Sequence, residues 1–477
     1  MSLRRRAWLL GAAAAVVSAA ASWVPAYWGD EVATVRAVGL RPAALFAFVT
    51  QHTDAVHGLY YFALHFWSGA FGLSEGATRS LSSIGIGVAT ALTVLIAQRL
   101  GRPRLGVLVG VLFALMPRVT EAGAEARSYA WTAALAALLW LLLLIALERG
   151  RWWWALLGAA AVLSMTLFVL TGTLAVAQLV FVAVRSRRSL APLIAAWVSA
   201  AAVVSPLLVV AWQERGQVSW LANSGVVNPW SVLAEPWAET SWGFGIAATA
   251  LLVVGAVRWR AALARTCSEF LLLAGCWVAV PLVLIASSRF VGSALFTPRY
   301  LTFATPGYAM LLAAAAVALG SRRRIAIAVV ALVAIALPTY LGQRGPFGKN
   351  GGSDLRQLAQ VVRAHARPGD GIVFESAQSK IMSPRPALWG YPQDFVGLVD
   401  VELTTPFPAS GSFHDLIAPL STRKAELTRL STVWVVTDGL GHCGAVQDIR
   451  TLRAAGFAPT AAFPVHRTTV CRFDRQP

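Results

Sequence analysis

From its N-terminus to residue 341 the chain alternates long apolar runs with short arginine clusters, and this alternation limits the possible folds more than any motif does. An α-helix needs about 20 mostly apolar residues to cross roughly 30 Å of hydrocarbon. Only helices and closed barrels carry a backbone through lipid with its polar groups satisfied. On that scale the chain holds about eleven spans, near 7–27, 80–98, 105–117, 129–147, 152–170, 172–185, 190–212, 241–257, 268–287, 301–320 and 325–341. Composition agrees, with 57% apolar and 13% charged residues, where a soluble domain carries about 25% charged. The deficit stops at residue 342, beyond which the chain reads as ordinary soluble protein.

The arginines orient the spans. Arg4–Arg6, Arg99 with Arg102 and Arg104, Arg149 with Arg151, Arg185 with Arg187 and Arg188, Arg258 with Arg260 and Arg265, and Arg322–Arg324 all fall on one side under this threading. Lys and Arg are retained in cytoplasmic loops. The N-terminus is therefore expected inside, and the 342–477 domain outside. The formal charge of +18 belongs to these loops rather than to one basic face, so no nucleic-acid partner is expected. The apolar stretch 57–73 is long enough to span, but a span there would invert every later cluster. It reads instead as a helix in the outer interface, where Tyr60, Tyr61 and Trp67 suit the depth. Thr34–His52 reads as a second such helix, giving outer interfacial helices across 34–73. The start of the chain resembles a signal peptide, but its apolar run continues to about Trp28, so it reads as an uncleaved first helix.

The C-terminal domain reads as α/β. Asp354–Ala366 has helical periodicity after a Ser353 cap. Gly371–Glu375 and Thr432–Thr437 read as buried strands. Asp415–Leu430 is a further helix candidate interrupted by Pro419. Cys443 and Cys471 form a disulfide or remain two thiols; the sequence leaves both open. Cys267 and Cys276 lie in or beside an apolar span.

Polar residues gather in the external segments. Asp30 and Glu31 follow the first span directly, where adjacent carboxylates are costly unless solvated or used; a carboxylate there can take a proton from an acceptor hydroxyl. In His52-Thr-Asp54-Ala-Val-His57 the spacing matches no established metal-ligand pattern and reads better as the polar rim of a cavity. In the 120–131 stretch, Glu121 and Glu125 share a face if helical, and Arg127 and Tyr129 follow; Arg127 suits a carboxylate or a phosphate. Arg299-Tyr300 opens the span near 301–320 on the external side, against the positive-inside tendency, at the depth of a lipid phosphate. No P-loop or dinucleotide-binding glycine pattern is present, which removes support for nucleotide-driven chemistry.

Taken in order, Asp30-Glu31, Asp54-Ala-Val-His57-Gly-Leu-Tyr60-Tyr61, Phe71-Gly72 with Arg79-Ser80, Pro117-Arg118 with Glu125-Ala-Arg127-Ser-Tyr129, and Pro298-Arg299-Tyr300 resemble the GT-C membrane glycosyltransferases. The likeness is to the family 39-like bacterial proteins related to protein O-mannosyltransferases and lipid A aminoarabinose transferase, especially the actinobacterial mannosyltransferase-type members. It covers about residues 1–345. It implies a polytopic α-helical membrane protein with a small extracytoplasmic α/β domain. The implied activity is inverting transfer of a sugar, mannose first, from a polyprenyl-phosphate donor to a glycan, glycolipid or protein acceptor on the outer face. Asp30 would be the base with Glu31 beside it, and Asp54, His57, Tyr61, Glu125, Arg127, Tyr129, Arg299 and Tyr300 would contact substrate. Some relatives use a divalent metal and others need none, so a metal stays open. Where relatives often carry His-Pro-Pro, this chain has His57-Gly58-Leu59. The alternative reading is a flippase or transporter of a lipid-linked sugar, which should carry charges or broken helices at mid-depth.

Overall fold

The computed structural model describes residues 2–51, 54–214, 216, 221, 227–262, 268–291, 294–375, 383–444 and 446–477. His52 and Cys267 lie outside the described residues. The chain forms two compact units. The first holds Met1–Ser22, Asp54–Ala63 and Thr78–Leu341, and the second Trp23–Thr53, Leu64–Ala77 and Gly342–Pro477.

The first unit is helical. Helices stand at the expected spans, among them Leu3–Ala19, Glu75–Arg99, Tyr129–Arg149, Leu190–Gln213, Ser268–Ser287 and Arg322–Gly342. Among the described residues six helices are long and apolar enough to cross a membrane, or seven if one bent pair counts as a single span. That pair is Pro103–Leu115 and Pro117–Gly123, bent by 66°. Met116 between them is extended, as the residue before a proline tends to be. Small residues let backbones approach closely. A Cβ on Gly11 would lie 2.5 Å from the Gly87 carbonyl oxygen, and one on Gly87 would lie 2.8 Å from that of Gly11. These two glycines seat Leu3–Ala19 against Glu75–Arg99. The core between helices is filled by Trp140, Trp277 and Phe181, with the two indoles 5.7 Å apart.

The external stretch 118–128 is not all loop, because the Pro117–Gly123 helix occupies its first part. That helix ends before Glu125, so Glu121 and Glu125 do not share one helical face. Gly58–Phe71 is a 14-residue helix, which at 1.5 Å per residue reaches only about 21 Å, less than the hydrocarbon core. The stretch expected as one helix over Thr34–His52 is two, Gly29–Val38 and Pro42–Gln51. Gly39 ends the first, and Pro42 starts the second in the first-turn position that proline favours.

The second unit is built on a mixed sheet of β1 (Gly371–Phe374), β2 (Val399–Asp400), β5 (Thr432–Asp438), β6 (Phe457–Pro464) and β7 (Thr468–Arg475), in the order β2-β1-β5-β7-β6. A separate pair joins β3 (Leu403–Thr405) to β4 (Leu416–Ile417). β1 pairs parallel with β2 and β5, while β7 pairs antiparallel with β5 and β6. The central strands are buried on both faces, which is why they read as continuous apolar runs. Ile372, Phe374, Trp434 and Val436 face one core, Val373, Val433 and Val435 the other. The first core is closed by Leu355, Leu358, Ala359 and Val362 of the amphipathic helix Leu355–His365, and by Val32 and Val35 of Gly29–Val38.

Two local expectations fail for identifiable reasons. Ser353 does not cap Leu355–His365, since its hydroxyl donates to the Tyr27 carbonyl. Asp354 occupies the cap position, and its Oδ2 accepts the backbone N–H groups of His466, Arg467 and Thr468. Asp415–Leu430 is not one helix: it opens as β4, passes Pro419, and forms only short turns at Leu420–Thr422 and Lys424–Leu427. Cys443 and Cys471 are disulfide-bonded, with Cα atoms 5.5 Å apart. Cys276 is a free, buried thiol.

Candidate active site

In the first unit several of the expected residues meet. Asp54 stands just before the short 3₁₀ turn Ala55–His57, in the left-handed region at φ 62°. Asp is among the few residues that accept this conformation, and its carboxylate meets Tyr61 of the following helix. Tyr61 donates to Asp54 Oδ2 at 2.5 Å. Arg127 Nη1 approaches the same phenol at 3.4 Å, and its Nη2 lies 3.2 Å from His57 Nε2. His57 Nδ1 is 3.5 Å from Ser128 Oγ, and its Nε2 is 3.8 Å from Asp54 Oδ1. His57, Tyr61 and Arg127 are buried. Burial, with the Asp54 carboxylate adding to it, pushes the Tyr61 phenol well up, so it stays a proton donor to Asp54. The main chain is held as well: Ser82 Oγ donates to the Arg127 carbonyl at 3.1 Å, and the Ala55 N–H donates to Glu214.

An aromatic cluster adjoins this network. Phe168 stacks on His57 at 6.3 Å and meets Tyr300 edge-on at 5.3 Å, and Tyr129 lies 6.3 Å from Tyr300. Tyr300 and Arg299 belong to the 3₁₀ turn Pro298–Ala304, which leads into the helix Thr305–Val317. Arg299 is half-buried there. Glu125 is buried, and its carbonyl accepts the Arg127 N–H at 2.9 Å. Chemically the network joins a guanidinium, an imidazole and a phenol to the Asp54 carboxylate with aromatic rings beside it, a set that can hold an anion next to an apolar group.

Asp30 and Glu31 belong to the second unit. They occupy the first turn of Gly29–Val38, where the helix dipole favours carboxylates. Glu31 is fully buried and Asp30 half-buried. Arg36, on the same helix, is held by Asp415 at 2.5 Å, with Trp389 3.9 Å and Phe407 4.3 Å from its guanidinium carbon. The helix that carries the carboxylates is thus fixed at its other end by the C-terminal part of the chain.

Sequence reasoning passed over Phe168, Ser128 and Glu214 in the first unit, and a second group in the other. There Arg356 Nε donates to Glu75 Oε1 at 2.9 Å, Tyr391 donates to the same oxygen at 2.7 Å, and the Tyr27 N–H donates to the Tyr391 hydroxyl at 2.9 Å. Burial, with Glu75 adding to it, pushes the Tyr391 phenol up and keeps it protonated. Among the described residues no group of three or more His, Cys, Asp or Glu side chains is placed to hold a metal ion.

Comparison with solved structures identifies the fold. A crystal structure of ArnT from Cupriavidus metallidurans bound to undecaprenyl phosphate aligns over 97% of each chain, with a TM-score of 0.61 at 13% identity. The apo form of that protein aligns over the same shares with a TM-score of 0.57 at 14% identity. The mycobacterial arabinofuranosyltransferase AftD aligns over 99% of this chain and 42% of its own, with a TM-score of 0.51 at 16% identity. No protein-family profile and no curated protein matches the sequence. The structural neighbours are GT-C membrane glycosyltransferases, and the chain has their fold.

Proposed function

We propose that the protein is a membrane glycosyltransferase that takes a sugar from a polyprenyl-phosphate donor and transfers it, with inversion, to a cell-envelope acceptor on the outer face. The observation that carries this reading is the alignment over 97% of both chains with a fold that has been crystallised with undecaprenyl phosphate. The buried Arg127–His57–Tyr61–Asp54 network fits the same reading, because an anionic leaving group needs fixed donors in a water-poor site. Arg127 and Arg299 would hold the donor phosphate. Tyr129 and Tyr300 would line the path of the lipid or the sugar, and Asp54, His57, Tyr61 and Glu125 would shape the polar rim. Asp30, with Glu31 beside it, would take the acceptor proton as the glycosidic bond forms and the polyprenyl phosphate leaves. Mannose is the sugar favoured by the sequence resemblance.

The proposed arrangement is a multi-pass protein of about eleven spans, its N-terminus cytoplasmic and its 342–477 domain extracytoplasmic. The Cys443–Cys471 disulfide supports that placement, because disulfides persist in oxidising compartments. The test is reconstitution in liposomes with labelled polyprenyl-phosphate mannose and polyprenyl-phosphate arabinose. A labelled glycosidic product supports a transferase. Movement of intact donor across the bilayer without product would favour the flippase reading instead.

A further inference from the structure

The second unit contains a cleft of about 540 Å³ lined by residues of that unit alone. Its floor is the Glu75, Arg356 and Tyr391 group, and its walls come from the helix Leu355–His365 and from Trp389 to Asp394. The floor is rigid: beyond Glu75, Arg356 donates to the carbonyls of Trp23, Val24 and Pro25 at 3.0–3.2 Å. We infer that this cleft binds a neutral saccharide segment of the acceptor, an assignment that rests on the transferase reading and narrows its acceptor to a glycan.

Three features select that ligand. First, the charges cancel. Arg356 is matched by Glu75, and Arg363 donates to Asp394 at 3.2 Å. A phosphate or a carboxylate finds no uncompensated cation there. Second, the lining combines one half-buried aromatic side chain with two-way hydrogen-bonding groups. Trp389, whose indole also carries Arg36, borders the cleft, and the exposed amides of Gln360 and Gln393 offer both donors and an acceptor to vicinal hydroxyls. Third, the competing ligands fit poorly. Sheet-edge addition, one common mode of binding an extended peptide, has no place here because no strand contributes to this cleft. A lipid tail needs continuous apolar walls, which Ser74, Gln360, Arg363 and Asp394 interrupt. The volume lies inside the range of about 300–1,000 Å³ typical of small-ligand pockets, enough for a short oligosaccharide.

The test uses the full chain in lipid nanodiscs and saturation-transfer NMR on three probes: mannotetraose, an arabinofuranose tetrasaccharide and a neutral tetrapeptide. At least one tetrasaccharide should receive saturation, and the peptide should receive none. The variant Gln360→Ala with Gln393→Ala changes only exposed side chains and should weaken tetrasaccharide binding roughly tenfold or more. Binding of neither tetrasaccharide, or equal binding in the variant, would overturn the inference. Failure of the transferase reading looks different: the wild type would bind tetrasaccharide yet form no product. If only the cleft assignment fails, wild type and variant would transfer equally well to monosaccharide and tetrasaccharide acceptors.

Discussion

Arg356 and Glu75, 281 positions apart in the chain, are joined by two hydrogen bonds of 2.9 and 2.5 Å to one carboxylate oxygen. The contact places the segment before Glu75–Arg99 in the same compact unit as the C-terminal residues. Both side chains are largely sequestered, at 23% and 13% exposure. Arg356→Ala would leave Glu75 with its Tyr391 contact but without its cation. A hydrogen bond to a charged group contributes about 1.5–3 kcal/mol, and a loss of that size is expected in the stability of the second unit. Urea-dependent proteolysis of the full chain measures it. Equal stability in Arg356→Ala would remove the pair from the set of contacts that hold the unit together.

Arg127 should matter to donor use more than to folding of the helical unit. Arg127→Ala is expected to weaken donor recognition by roughly 10- to 100-fold, the equivalent of one or two charged hydrogen bonds. Arg127→Lys should recover part of that, because a point charge does not reproduce the planar fork that reaches both Tyr61 and His57. Arg299→Ala should show the same pattern in the donor KM. An unchanged donor KM in either alanine variant would take that arginine out of the phosphate site.

Long-range pairs of this kind mark the limit of what could be read in the sequence. The helices of the first unit were legible because long apolar runs leave a chain few other folds, and among the described residues six of those helices are long and apolar enough to cross a membrane. β1 and β5 were legible because strands buried on both faces are continuous apolar runs. Local grammar misled where a tertiary partner outbid it. Ser353 reads as a cap until Tyr27 takes its hydroxyl, and Glu121 and Glu125 read as one face until the helix ends at Gly123. Nothing near Glu75, Tyr391 or Arg36 in the sequence announces its partner. The Cys443–Cys471 bridge depended on strand β7 lying beside β5, which spacing alone does not give.

Glu402 gives the C-terminal domain a pH dependence of defined sign. It is buried, at 4% exposure, and burial pushes its carboxyl up to about 7 against the opposing pull of the Phe374 N–H and Arg385. Burial raises Glu375, Asp400 and Asp448 as well. An unfolded glutamate titrates near about 4.3, so the folded state holds the proton more tightly. The stabilisation is complete below that value and is lost as the pH rises through about 7, on the order of 3 kcal/mol for Glu402. Asp415, held down by the Phe407 N–H and Arg36 against its burial, works in the opposite sense only in more acidic solution. Hydrogen exchange in β1 and β5, corrected for intrinsic rates, should be slower at about pH 5.5 than at about pH 7.5. Glu402→Gln should flatten the difference, and a wild type without any difference would contradict the assignment.

The proposed sidedness rests on the disulfide and the basic loops together. Ala425 is exposed in the C-terminal domain. A cysteine placed there by Ala425→Cys should react with a membrane-impermeant maleimide on intact cells, and peptides carrying Cys443 and Cys471 should be linked before reduction. Labelling only after permeabilisation would reverse the proposed orientation.

The most direct test of the account is sugar transfer by Asp30→Asn in proteoliposomes supplied with labelled polyprenyl-phosphate sugar. The substitution keeps the shape of the side chain and its place in the first turn of Gly29–Val38, but removes the carboxylate that would take the acceptor proton. Loss of a general base costs about 10²–10⁴-fold in turnover. A fall of that size is predicted, with the donor KM little changed because the phosphate contacts are assigned to Arg127 and Arg299. Transfer at near wild-type rate by the asparagine variant, or no transfer by the wild type from any polyprenyl-phosphate sugar, would contradict it.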